Sequence, residues 1–332
     1  MRTRKAKAEL TWNGAAITTD MEGYKGTVTY TDPAEGESDS IDVEINDRDG
    51  HWADDWLPQP GDTMTAKIKV QDWDGEGDDR ELDCGAFVLD DFSFSGWPRS
   101  GTISAVSVPA DRSFRASLRN KVWEKATLQA IGSEIASRAG ISLSWEVSGS
   151  PPTIQTVEQI EQTDCEFFTS LCQDYGLFVK VYSNKLVVFD REDYKAKGAV
   201  ATIRPSNIQS WSWRQTLDGT YTGGEYTYTD PTTEEEIKVT VGDMTRPLKL
   251  NGKADDQADA QRKLNAAIAN ANHGAITMTV TITGRPDLVS TQCIEIADMG
   301  GPISGKYFLD KVTSRVGGGY TVDLEMSKVV SG

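Results

Sequence analysis

The chain has 332 residues, 38% of them hydrophobic, and a formal net charge of −17 from 34 basic and 51 acidic side chains. That apolar share supports packed cores in two or three domains and excludes intrinsic disorder, while no apolar run approaches the ~20 residues of a membrane helix. The acidic balance excludes a specific nucleic-acid grip, which needs a basic stripe to displace counterions, although it suits a wall that nucleic acid slides past.

The first segment opens with Arg2, Arg4, Lys5 and Lys7, a basic cluster that reads as a solvated terminus. No apolar stretch follows, so neither a secretory leader nor a membrane anchor is expected, and synthesis in the cytoplasm is. To about residue 108 the pattern is β-rich. Ile41, Val43 and Ile45 alternate with Asp42, Glu44 and Asn46, and Met64, Ala66, Ile68 and Val70 alternate with Thr65, Lys67 and Lys69. Turn residues at Asp32-Pro33, Asp49-Gly50, Pro60-Gly61 and Trp97-Pro98 punctuate short strands, the signature of a small barrel or sandwich.

Residues 109–200 change period. Leu128, Ile131, Ile135 and Ala139 mark a helix, and Ile141, Leu143 and Trp145 a strand. The break Gly149-Ser-Pro-Pro152 is expected to lead into a second helix. Thr163 with Glu166 forms a capping-box pair there, followed by Phe167, Phe168, Leu171, Cys172 and Tyr175. Segments 177–181 and 186–189 flank Ser183-Asn184 as a hairpin, completing an α/β module.

From 201 to 332 the chain is β again, with one helix. Ala260, Leu264, Ala267, Ile268 and Ala271 recur at helical spacing, and Gly274 stands where a left-handed cap is expected. Ile276, Met278, Val280 and Ile282 then alternate with four threonines, and Tyr320, Val322, Leu324 and Met326 repeat the pattern.

Chemistry is sparse. Four cysteines make no disulfide framework, and Cys165 and Cys172, seven apart on a helix, stand about 10 Å apart, too far to pair. His51 and His273 are the only histidines, so a Ser–His or Cys–His relay and a zinc site are both disfavoured. Gly300-Gly-Pro-Ile-Ser-Gly-Lys306 has phosphate-loop spacing, but Tyr307 replaces the magnesium-binding hydroxyl and a strand follows, so a hairpin turn is expected. The acidic run Asp72 to Asp83 resembles a calcium loop, but Asp79 occupies its apolar anchor position; it reads as an acidic hairpin tip for which metal is dispensable. Asp47, Asp49, Asp54 and Asp55 beside Trp52 and Trp56 are equipment for a sugar cleft, or else a charged loop with aromatic anchors. No catalytic, cofactor or metal residue is assigned.

Taken in order, several stretches resemble one family. They are Leu10–Gly14, Ile41–Arg48, Cys84–Phe87 and Phe92–Gly96 in the first part, and Val157–Asp164, Phe167-Phe168, Leu171-Cys172, Gly176-Leu177 and Lys185–Val187 in the middle. Gly284–Leu288, Gly305–Tyr307 and Gly319–Leu324 complete the set. The chain resembles the phage late control protein D and baseplate hub proteins, and the tube-like N-terminal parts of type VI secretion spike proteins. The resemblance implies two tail-tube-like β-barrel domains (1–108 and 201–332) flanking a central α/β domain (109–200), a mixed β and α+β class. It also implies a homotrimer whose six barrels adapt a sixfold tail tube to a threefold spike. The partners implied are further copies of the chain, the tail tube protein, the spike protein and other baseplate proteins. It implies no enzyme activity, no cofactor, and assembly into a virion tail or injection particle; no fused lysozyme, spike or effector domain is expected. The competing classes are a tail-associated carbohydrate-degrading enzyme, expected to carry a carboxylate of raised pKa in a cleft, and a calcium-stabilised carbohydrate-binding module.

Overall fold

In the computed structural model, residues 3–16, 23, 25–59, 61–107, 113–182, 184–230 and 233–330 are described. The alternating segments form strands as their period demands. In the first unit these are β1 (Lys5–Trp12), β2 (Ala15–Ala16), β3 (Lys25–Pro33), β4 (Ser40–Asn46), β5 (Thr63–Gln71), β6 (Arg80–Ser95) and β7 (Ser100–Val106). In the last unit the long strands are β14 (Ile208–Gln215), β18 (Ile276–Thr283), β20 (Gly305–Val316) and β21 (Tyr320–Lys328). β13 (Ala201–Ile203) and β19 (Cys293–Ile296) pair in parallel beside β20.

The mixed β and α+β class holds, but neither β unit closes into a hydrogen-bonded barrel. The sheet runs β14-β18-β21-β20-β3-β4-β7-β6-β5-β1-β2, so the two units merge where β20 pairs with β3. Each of those strands would otherwise present an unpaired edge, and joining them satisfies both rows of backbone groups. At the other end of the first unit, the Lys25 ammonium donates to the Ala8 carbonyl at 2.7 Å, a side-chain link in place of a ladder. One hydrophobic core follows the sheet: Ile41, Ile68 and Phe87 of the first unit are continuous with Val280, Leu309 and Leu324 of the last.

The middle unit has its own core. It contains β8 (Arg119–Thr127), β9 (Ser142–Glu146), β10 (Thr153–Gln162), β11 (Leu177–Tyr182) and β12 (Lys185–Asp190). The helices are α1 (Ser113–Ala116), α2 (Leu128–Arg138), α3 (Asp164–Asp174) and α4 (Arg191–Ala196). The capping box forms as expected: Glu166 N–H donates to Thr163 Oγ1 at 3.2 Å and Thr163 N–H to Glu166 Oε2 at 3.1 Å. The second helix starts at Asp164, where the capping box places it, and the stretch between the Pro152 break and Thr163 is β10, paired antiparallel with β8. β11 and β12 form the expected hairpin, with Asn184 at φ 60; Ser183 lies outside the described residues.

A small third core lies between α5 (Gln257–His273) and a sheet of β15 (Gly223–Thr229), β16 (Glu236–Gly242) and β17 (Pro247–Asn251). A Cβ on Gly224 would stand 2.7 Å from Leu264 Cδ1, so glycine lets the helix settle directly onto β15. Gly274 follows α5 at φ −83, not in the expected left-handed conformation. Leu264 is fully buried among Tyr226, Tyr228 and Val239. Leu264→Ala should therefore lower stability by ~2–5 kcal/mol in chemical denaturation. Unchanged stability with loss of assembly alone would instead give that face to a partner.

Candidate functional site

The sequence-level candidates resolve mainly into structural roles. At the acidic tip, the carboxylates turn inward: Asp72 accepts from Gly77 N–H at 2.8 Å, Asp79 from Asp72 N–H at 3.0 Å and Asp83 from Gly85 N–H at 3.0 Å. Arg80 binds Asp74 at 2.5 Å and Asp78 at 2.8 Å. Protein donors engage one oxygen of each of these carboxylates, and no group of three or more metal-ligand side chains occurs among the described residues. The tip instead docks: Trp73 Nε1 donates to the Gly284 carbonyl at 2.7 Å, and Arg80 reaches Asp287 at 3.3 Å.

Asp47 is fully buried, accepting from Trp52 N–H at 2.8 Å and from Arg99 at 3.2 Å. Trp52 packs edge-on to Trp12 and Trp56, with His51 tilted over Trp56. This is the charged loop with aromatic anchors, and its most buried carboxylate secures the loop. Residues 300–304 lie in the turn between β19 and β20, closed by Ser304 N–H to Gly300 O at 2.8 Å, while Gly305 and Lys306 open β20 and Tyr307 is buried in it. His273 Nε2 lies 2.6 Å from Asp310 Oδ1, and Ser327 Oγ donates to Asp310 Oδ2 at 2.6 Å. The aspartate stands between serine and histidine, whereas a nucleophile relay requires the histidine in the middle. The cysteines Cys84, Cys165, Cys172 and Cys293 are all free thiols, and burial pushes each of their pKa values up.

Two carboxylates fit the criterion of the enzyme class: Asp190, which burial pushes up beside a small cleft, caps α4 by accepting from Glu192 N–H at 2.8 Å, and Asp174 borders a larger one. The larger cleft, of about 1350 Å³, runs between β10 and the β17–α5 unit. Burial pushes the Asp174 carboxyl up, Lys263 pulls it down and Asp259 pushes it up. Its acidic neighbours are committed elsewhere: Asp259 binds Lys263 at 2.9 Å and accepts from Asp255 N–H, while Asp255 accepts from Gln155 N–H at 2.9 Å. A general acid here would have no unengaged carboxylate partner among these neighbours.

The densest polar constellation joins all three units. Lys180 of β11 projects into the sheet and meets Asp32 of β3, Asp39 at 3.0 Å, the Pro33 carbonyl at 2.9 Å and Ser290 Oγ at 3.0 Å. Ser290, in the loop before β19, donates its N–H and Oγ–H to Asp32 at 2.8 and 2.7 Å. Tyr30 donates to Asp39 Oδ2 at 2.9 Å. Burial alone would depress the Lys180 ammonium, but Asp32 and Asp39 hold it above its usual range. Burial first, then the two carboxylates, push the Tyr30 hydroxyl up, so it remains a donor. Two contacts flank this clasp: Arg191 reaches Glu35 at 2.5 and 2.6 Å beneath the Phe178 ring, and Tyr182 donates to the Asp83 carbonyl at 3.0 Å. None of these residues stands out in the sequence. The available signal was a lysine inside the apolar run Leu177–Val181.

No protein-family model matches the chain. It is 33% identical over 175 residues to the probable baseplate hub protein of Escherichia phage P2, and 30% identical over 181 residues to that of Escherichia phage 186. The matches cover 52% and 54% of this chain but only 42% and 43% of those relatives. Its fold matches the tail protein from Neisseria meningitidis MC58 at TM-score 0.74 and 16% identity, covering 97% of this chain and 96% of that one. It also matches E. coli c3393, a component of the type VI secretion system, at TM-score 0.57 and 10% identity, over 99% of this chain and 78% of the other. The chain is a relative of the phage baseplate hub proteins, built on the fold shared by phage tail proteins and a type VI secretion component.

Proposed function

We propose that the chain is the hub of a phage tail or related contractile injection particle, acting as a homotrimer. Three copies, each carrying two β units, supply the six positions of a ring that meets a sixfold tube on one side and a spike on the other. The observation that carries this reading is the pairing of whole-chain likeness to a tail protein with sequence relationship to baseplate hub proteins. Its partners would be the tail tube protein, the spike protein and other baseplate proteins, with no specific nucleic-acid contact. Synthesis in the bacterial cytoplasm precedes assembly into the virion tail in this reading. The division into 1–108, 109–200 and 201–332 is part of the proposal; it is supported by a middle core drawn from Phe114 to Val188.

The role is structural and not enzymatic. Light scattering at micromolar concentration should find a species of three times the 36.3 kDa chain mass. A stable dimer or tetramer, or six copies in one ring of a reconstructed particle, would contradict the assignment. The second reading, cell-wall hydrolysis, rests on Asp174 in its cleft. Zymography with the purified protein and its Asp174→Asn variant decides between them, since hydrolysis lost in that variant would favour the enzyme.

A further inference from the structure

Lys180, Asp32 and Asp39 place two carboxylates against one ammonium, and the side chains are 10%, 4% and 0% exposed. With all three ionised, the cluster carries one uncompensated negative charge away from water, an arrangement that protein interiors relieve by binding a proton.

The two carboxylates are not equivalent. Asp32 accepts from Ser290 N–H, Ser290 Oγ–H and Lys180. Asp39 has Lys180 on one oxygen and Tyr30 on the other. The ionisable groups gathered around them are Tyr30 and Asp32 on β3, Asp83 and Cys84 on β6, and Lys180 and Tyr182 on β11. Lys180 is the cation bonded to both aspartates.

We propose that this cluster is a proton-dependent clasp on the folded chain: Asp39 takes up a proton on mild acidification, and the fold is more stable below that transition than above it. Burial pushes Asp39 up from its ordinary 3.8, Lys180 pulls it down and Asp32 pushes it up again, leaving it at about 6. The folded chain therefore binds this proton more firmly than the unfolded chain. The stabilisation is fully present below about pH 4 and is lost as pH rises through about 6. Lys180, also raised, contributes in the same sense only in the alkaline range.

The test compares wild type with Asp39→Asn, a neutral side chain of the same shape that keeps an acceptor for Lys180 and can donate to Tyr30. Asp218→Asn, an exposed change elsewhere, is the control. Between pH 4.5 and 7.5 the wild-type melting temperature should fall relative to Asp39→Asn by about 2–4 °C, and the control should track wild type. Exchange of the slowest core amides, which report global unfolding, corrected for its intrinsic pH dependence, should accelerate more in wild type than in Asp39→Asn over that range. Should the variant not fold, carboxyl carbon NMR of the wild-type protein carries the test, with one aspartate expected to titrate near pH 6. A pH-independent difference between the two proteins, or all folded-state aspartates titrating below pH 5, would overturn the clasp.

Discussion

Lys180→Met should destabilise the folded chain by about 3–5 kcal/mol near neutral pH, the penalty for removing one partner from a buried ion pair. Methionine fills most of the volume of the lysine stem, so the loss reflects charge more than packing. Asp32 and Asp39 would be left facing each other in a site where Asp39 is 0% and Asp32 3% exposed. Ser290 and Tyr30 would still supply donors, but no cation would balance the two carboxylates. The defect should shrink on mild acidification, because one of the carboxylates can then take a proton. Urea unfolding at pH 5 and pH 7.5 measures both effects. A loss below about 1 kcal/mol at the higher pH would place the cluster among solvent-screened pairs, which contribute that little. Because Lys180 sits on β11, Asp32 on β3 and Ser290 in the last unit, damage should spread through all three. Proteolysis of the variant should accordingly release fragments from more than one unit.

How far such a feature can be read in advance depends on range. Local periodicity reveals local structure: the threonine alternation of Ile276–Thr283 is β18, Leu128 to Ile135 lie in α2, and Thr163 with Glu166 caps α3. Periodicity is silent at β10, whose apolar residues Ile154, Val157 and Ile160 fall three apart and so lack the alternation of a strand. The strand tolerates that spacing because Ile160 is exposed, Glu161 has φ 46, and the register shifts between Gln159 and Gln162. Sheet continuity was equally hidden. Alternation marks β3 and the apolar run Tyr307–Leu309 opens β20, yet nothing local says that residues nearly the whole chain apart pair edge to edge. The clasp is the extreme case, since Lys180 meets Asp32 across 148 positions and Ser290 across 110. By contrast the scarcity of relay candidates was legible from composition, because His51 and His273 are the only histidines in the sequence.

Phe168→Ala should cost about 3–5 kcal/mol, as truncations of a buried phenylalanine do. Phe168 is fully buried on α3, and its ring tip occupies the place where a side chain on α2 would otherwise stand. A Cβ built on Gly132 would lie 2.5 Å from Phe168 Cζ and 3.2 and 3.3 Å from the neighbouring ring carbons. Gly132 is thus retained inside a helix, where glycine costs about 1 kcal/mol against alanine, to admit the ring. Two opposing single changes follow. Gly132→Ala gains helix propensity but overpacks the ring by about 1–3 kcal/mol, so its net effect should be destabilising. Phe168→Leu shortens the side chain and opens space at the same point. Combined, Gly132→Ala and Phe168→Leu should be less damaging than the sum of the two, with a coupling of at least about 0.5 kcal/mol in a double-mutant cycle. Strict additivity would mean that the ring moves aside at no cost, and that the approach of α2 to α3 is set by Ile131, Ile135 and Leu171 instead.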